Sequence, residues 1–135
     1  MSEAPEILSG VFCASLTPLN DDLSVNHGAL ASHCKWLLAN GCDGLGVLGT
    51  TGEANSFSLV ERLELLDTLA ENGIAGKKML PGVGCCAIPD TVELTKKALE
   101  LGTPGVLMLP PFFYKGVSDD GLFDAYSEII ERVGD

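Results

Sequence analysis

Hydrophobic positions along this chain alternate between two patterns: short continuous runs and stripes at helical spacing. Val11 to Leu16 is an apolar run that ends in Thr17-Pro18. From Asn26 to Ala39 the positions Leu30, Cys34, Leu37 and Leu38 fall on one helical stripe, and Asn40-Gly41 supplies the stop expected at a helix C-terminus. Cys42 to Leu48 is a second apolar run. Ser58, with Glu61 three residues on, forms a capping box. It opens a second helix with the stripe Leu59, Leu63, Leu66 and Ala70, ending at Asn72-Gly73. Lys78 to Pro81 reads as a third strand. Pro89-Asp90 opens a third helix, with Val92, Thr95, Ala98 and Leu99 inward and Gly102 as its stop. Gly105 to Leu109 reads as a fourth strand. Ser118 begins a fourth helix carrying Leu122, Tyr126, Ile129 and Val133.

The strands are continuous apolar runs rather than alternating ones, which implies burial on both faces and hence a parallel sheet with crossover helices. The pattern therefore predicts an α/β fold of four consecutive βα units over residues 10–135, preceded by a tail over residues 1–9. The loops that follow the strands, 17–25, 49–57, 82–88 and 110–117, are the longer ones. In parallel α/β folds the ligand site lies at the C-terminal ends of the strands, where such loops collect.

Composition narrows the function classes. Hydrophobic residues make up 46% of the chain, enough for a core. No apolar run approaches the ~20 residues that cross a bilayer, and Met1 to Glu6 lacks the basic region of a secretory signal. With 19 acidic against 8 basic residues the net charge is -11. That charge argues against nucleic acid and against an anionic membrane surface as partners. Small anionic substrates stay open, because a local pocket can oppose the global charge. The five cysteines, Cys13, Cys34, Cys42, Cys85 and Cys86, show no CxxC spacing and no Cys/His cluster. Free thiols in a reducing cytoplasm fit this pattern, with no metal site and no cofactor expected. The adjacent Cys85-Cys86 reads as two small residues at a strand exit in preference to a redox pair.

The most informative run is Gly49-Thr50-Thr51-Gly52-Glu53, at the exit of the second strand. Two hydroxyls between glycines can bring several donors onto a small carboxylate or phosphate, since glycine lets the backbone come close. The alternative is that the threonine hydroxyls cap a turn ahead of the Ser58 helix. Glu53 is read as a structural acceptor for backbone N–H groups in preference to a general base. Gly82-Val83-Gly84-Cys85-Cys86-Ala87 is similar to a dinucleotide-binding fingerprint. However, the next strand ends in Leu109-Pro110-Pro111-Phe112, without the acid that would hold a ribose. These glycines read as a tight strand-exit turn. In Pro110-Pro111-Phe112-Phe113-Tyr114-Lys115, the aromatic residues Phe113 and Tyr114 either wall a pocket or contact another subunit. His27 and His33 fall on or beside the first helix and are expected to face solvent.

Taken in order, Thr17-Pro18, Gly49 to Glu53, Gly82-Val83-Gly84 and Pro110 to Tyr114 resemble the dihydrodipicolinate synthase / N-acetylneuraminate lyase family, from about Gly10 onward. The resemblance implies the N-terminal half of a (β/α)8 barrel and a Schiff-base lyase or aldolase. In that family a strand lysine forms an imine with pyruvate or another 2-oxo acid, which then reacts with an aldehyde. It further implies that Gly49, Thr50, Thr51 and Gly52 hold the substrate carboxylate, that Thr50 sits in a proton relay, and that the full-length form is a homo-oligomer, a tetramer. The family's catalytic tyrosine and imine lysine lie on strands five and six. None of Lys35, Lys77, Lys78, Lys96, Lys97 and Lys115 is placed to take that role. Phe113 aligns with a tyrosine of the lysine-pathway synthases, which favours a branch using another aldehyde. The expectation is a chain inactive alone. The alternative is a non-catalytic half-barrel that self-associates through open strand edges.

Overall fold

The structure is a computed structural model that describes residues 8–134. The predicted tail, residues 1–9, therefore lies almost wholly outside the described part. In chain order the elements are β1 (Phe12–Ala14), α1 (His27–Ala39), β2 (Gly44–Gly46), α2 (Leu59–Glu71), α3 (Ile88–Glu100) and α4 (Asp119–Val133), with 3-10 turns at Ala54–Ser56 and Gly76–Lys78.

The helices begin where polar caps satisfy their first amides. The Asn26 side chain accepts from the Ala29 N–H at 2.9 Å. Ser58 and Glu61 form the full reciprocal capping box, and Ser118 Oγ accepts from Gly121 N–H at 3.1 Å. No side chain caps α3, but it has proline in its first turn, where a missing N–H costs nothing.

β1 and β2 pair in parallel, with Phe12 opposite Gly44, Cys13 opposite Leu45 and Ala14 opposite Gly46. The third and fourth segments keep the parallel order but make single bridges, Leu45 with Met79 and Gly82 with Leu107. The hydrogen bonds run from Leu80 N–H to Leu45 O and from Gly82 N–H to Val47 O, both at 2.8 Å. On the other side Leu107 N–H donates to Pro81 O at 2.8 Å and Val83 N–H to Leu107 O at 2.9 Å. Two of the four predicted strands are thus bridge-forming segments, so four complete βα units are not seen. Pro81 is one physical reason, since it accepts from Leu107 but has no N–H to donate. Lys78, predicted as a strand residue, closes the 3-10 turn instead.

Side chains along the sheet segments alternate sharply. Ser15, Leu45, Val47, Met79 and Val83 are buried against the helices, and Val106 and Met108 pack on the same cluster. On the opposite face Leu16, Leu107 and Leu109 are 56%, 49% and 53% exposed. The expected burial on both faces is therefore met on the helix side only.

Leu30, Cys34 and Leu37 of the predicted α1 stripe are buried, but the buried stripes of α2 and α3 are rotated from the predicted ones. In α2 the buried positions are Arg62, Leu65, Leu66 and Leu69, while Leu59 and Leu63 are half-buried at the margin of the core. In α3 they are Thr91, Leu94, Thr95 and Ala98, and Leu99, expected inward, is 47% exposed. His27 and His33 are half-buried rather than solvent-facing, and His27 Nδ1 is buried without a partner among the described residues.

Candidate functional site

The chain leaves β2 through an abrupt turn. Leu48 is only 2% exposed and has φ +56°, and Glu53 has φ +56° as well. The left-handed conformation costs an L-residue roughly 1–2 kcal/mol, so the surrounding packing must hold it. Ala54 N–H donates to Gly49 O at 3.3 Å and Glu53 N–H to Thr50 O at 3.1 Å, closing the loop between them. Gly52 is buried at its base. A Cβ there would lie 3.0 Å from Ser15 O and 3.2 Å from both Leu48 N and Thr17 Oγ1. Thr17 Oγ1 donates to Gly52 O at 2.8 Å, tying the exit of β1 to the loop.

Thr50 and Thr51 sit on the outer turn of this loop and are exposed. Neither hydroxyl bonds to another group among the described residues, so neither caps α2; Ser58 does that itself. Nor does any of the N–H groups of Gly49, Thr50, Thr51 and Gly52 donate to a described backbone carbonyl. Glu53, expected to accept backbone N–H groups, has no side-chain hydrogen bond among the described residues; its contribution is the left-handed backbone.

A cleft of about 180 Å³ opens beside the loop. Leu48, Gly49 and Thr50 form one side, Ala54 and Asn55 another, and Gly82, Gly84, Leu107 and Leu109 the rest. Of the four predicted cradle residues, Gly49 and Thr50 line this cleft and Thr51 and Gly52 do not. Phe113 and Tyr114 also lie off it, 75% and 78% exposed, in an edge-to-face pair with ring centroids 5.2 Å apart. Ala54 and Asn55 are the lining residues that periodicity and motif reading missed.

Gly82 and Gly84 are small because neighbouring backbone occupies the space of a side chain. A Cβ on Gly82 would collide with Leu48 O, and one on Gly84 would lie 2.6 Å from Leu109 N. These glycines let adjacent strand exits touch, and their φ is not positive, so the predicted tight turn becomes a close approach. Their carbonyls are engaged from α2: Arg62 Nη2 donates to Gly82 O at 2.9 Å and Nη1 to Gly84 O at 3.4 Å. Arg62 is 4% exposed. Apolar periodicity passed over it, although 62, 65, 66 and 69 form a complete helical series.

Cys85 Sγ lies 3.0 Å from Arg62 Nη1. Burial pushes this thiol up, against the pull of Arg62, so it stays a neutral acceptor at neutral pH. Cys34 is raised by burial in the same way and lies 3.8 Å from Ser15 Oγ. No lysine lines the cleft. Lys97 is ion-paired with Asp67, and Lys35, Lys77, Lys78, Lys96 and Lys115 are exposed. Among the described residues no cluster of three His, Cys, Asp or Glu could hold a metal ion, and no helix is long and apolar enough to cross a membrane.

Comparison with known proteins gives this geometry its context. The model of the Dihydrodipicolinate synthetase family matches residues 7–135. An uncharacterized DapA-like lyase of Chloroflexus aurantiacus is 35% identical over 126 residues, which is 92% of this chain and 42% of that protein. A dihydrodipicolinate synthase from Agrobacterium tumefaciens superposes with a TM-score of 0.89 at 36% identity, over 93% of this chain and 44% of that one. A 2-keto 3-deoxygluconate aldolase from Picrophilus torridus superposes with a TM-score of 0.85 at 28% identity, over 93% and 45%. The chain thus spans less than half the length of the relatives it matches, within their barrel fold. On the family model and these relatives, the chain belongs to the Dihydrodipicolinate synthetase family.

Proposed function

We propose that this chain supplies the carboxylate-binding part of a site for pyruvate or another 2-oxo acid, in a Schiff-base lyase or aldolase. One observation carries the reading: the Gly49–Gly52 loop holds two unbonded hydroxyls and four backbone N–H groups without carbonyl partners among the described residues, and its Gly49–Thr50 end lines a cleft. A carboxylate is best held by several converging donors, and Gly49, Thr50, Thr51 and Gly52 are the residues that offer them. Thr50, whose hydroxyl can both donate and accept, also takes the proton-relay role that the family resemblance assigns.

The covalent step belongs to a group beyond these residues. A lysine that forms an imine near neutral pH must lose its proton easily, which requires desolvation. The lysines here are exposed or ion-paired. The imine chemistry itself uses no cofactor. The second substrate is an aldehyde, and Phe113 at the position of a synthase tyrosine favours a sugar-derived or other aldehyde over that of the lysine-pathway synthases. A cytoplasmic homo-oligomer, a tetramer for a full-length form, completes the reading.

The test is borohydride reduction of the chain with pyruvate, followed by mass measurement, alongside an NMR titration. The expected result is no covalent adduct, with pyruvate moving the amides of residues 48–55. A reduced adduct on Lys115 overturns the lysine argument, and a titration that leaves residues 48–55 unmoved overturns the carboxylate reading. A second reading, a non-catalytic half-barrel that self-associates, draws on the exposed face of Leu16, Leu107 and Leu109. A dimer by light scattering without 2-oxo-acid binding would select it.

A further inference from the structure

We infer that Arg62 is a positioning residue for the threonine loop, acting through the glycine segment 82–84. Arg62 is the one charged side chain among the buried described residues, and no carboxylate lies within ion-pair distance of it. Burying a guanidinium without a counter-charge is costly unless its N–H groups are engaged. Here the acceptors are Gly82 O, Gly84 O and Cys85 Sγ, all on one four-residue segment. Nε is the one guanidinium nitrogen without a partner among the described residues.

That segment leads directly to the loop. Gly82 packs so closely on Leu48 O that no side chain fits between them, and Leu48 C and Gly49 N follow at 2.7 and 3.2 Å from where the Cβ would lie. Leu48 is itself the left-handed residue from which the loop springs. A small displacement of Gly82 is therefore passed to the root of the loop that carries Thr50. The same contacts leave an uncompensated positive charge one peptide away from the cleft lining, in a chain whose net charge is -11. Such a charge favours an anion in the cleft. This last point rests on the carboxylate reading above; the positioning role does not.

The test compares Arg62→Lys and Arg62→Met with the wild-type chain by amide hydrogen exchange resolved by segment. Lysine keeps the charge but cannot span three acceptors; methionine keeps much of the stem and removes the charge. The expected result for Arg62→Lys is exchange at least tenfold faster over residues 48–54 and 80–86, with α1 and α4 unchanged. Uniform acceleration over all segments, or acceleration at 80–86 without 48–54, overturns the proposal. Should Arg62→Met fail to fold, Arg62→Lys decides alone. Pyruvate titration then separates the charge from the bracket: affinity should fall about tenfold further in Arg62→Met than in Arg62→Lys, and equal losses overturn the charge component. A wild-type chain that binds no pyruvate removes the carboxylate reading, while the exchange comparison still decides the positioning role.

Discussion

The hydroxyls of Thr50 and Thr51 make no internal bond among the described residues, so exchanging each threonine for valine removes no interaction of the fold. Thr50→Val and Thr51→Val are expected to change unfolding free energy by less than about 0.5 kcal/mol. They should weaken pyruvate binding roughly tenfold or more, as expected for losing a hydrogen bond to a charged group. Denaturant melts paired with calorimetry check both halves. The opposite holds for Gly82. Its Cβ space is filled by Leu48 O, so Gly82→Ala should destabilise by roughly 1–3 kcal/mol through overpacking, read from the same melts. At this scale the place of the Gly-Thr-Thr-Gly run, on the loop that leaves β2, was legible, because glycines and hydroxyls after an apolar run announce a turn. Glu53 was misread because its role is a backbone angle, which a carboxylate does not announce. Arg62 was missed because a stripe search counts apolar side chains, and its value lies in the acceptors another segment presents to it.

Among the elements, α2 carries most of the site's support, and its start is the clearest to test. Ser58 caps the helix and binds Glu61 in return. Ser58→Ala should cost about 1 kcal/mol of stability, the usual worth of an N-cap, measured by urea denaturation. The Glu61 carboxyl is held below its ordinary value, first by the Ser58 N–H and then by the Ser58 hydroxyl. A depressed folded value means a contribution complete above the unfolded value and lost as pH falls through the folded one. The stability gap between wild type and Glu61→Gln should therefore be constant near neutral pH and close in acid, below the ordinary glutamate range; urea titrations across that span check it. All four helices and the polar starts of α1, α2 and α4 could be read from the chain; the uncapped start of α3 and the Gly134 end of α4 could not. The buried stripes of α2 and α3 could not be placed to the residue, since stripes one position apart are both mostly apolar at their margins. The third and fourth strands shrank to bridges where Pro81 withholds a donor, a backbone effect that an apolar run conceals.

For the whole molecule, the parallel order and the helix layer followed from the alternation of patterns, and the barrel kinship followed from the strand-exit motifs. Burial on the far side of the sheet did not follow, because an apolar run reports what a surface tolerates and not what covers it. Leu16, Leu107 and Leu109 stand bare on that face. If a second copy covers them, the midpoint of thermal unfolding should rise with protein concentration, as mass action requires when association favours the folded state. A midpoint independent of concentration sets that pairing aside. The same bare face governs the response to ionic strength. Two copies that meet there bring together chains of net charge -11 each, so their contact is apolar while their mutual field is repulsive. Salt shortens the reach of that field to about 8 Å at 0.15 M. Pairing through this face would strengthen as salt is added, the reverse of an interface built on ion pairs.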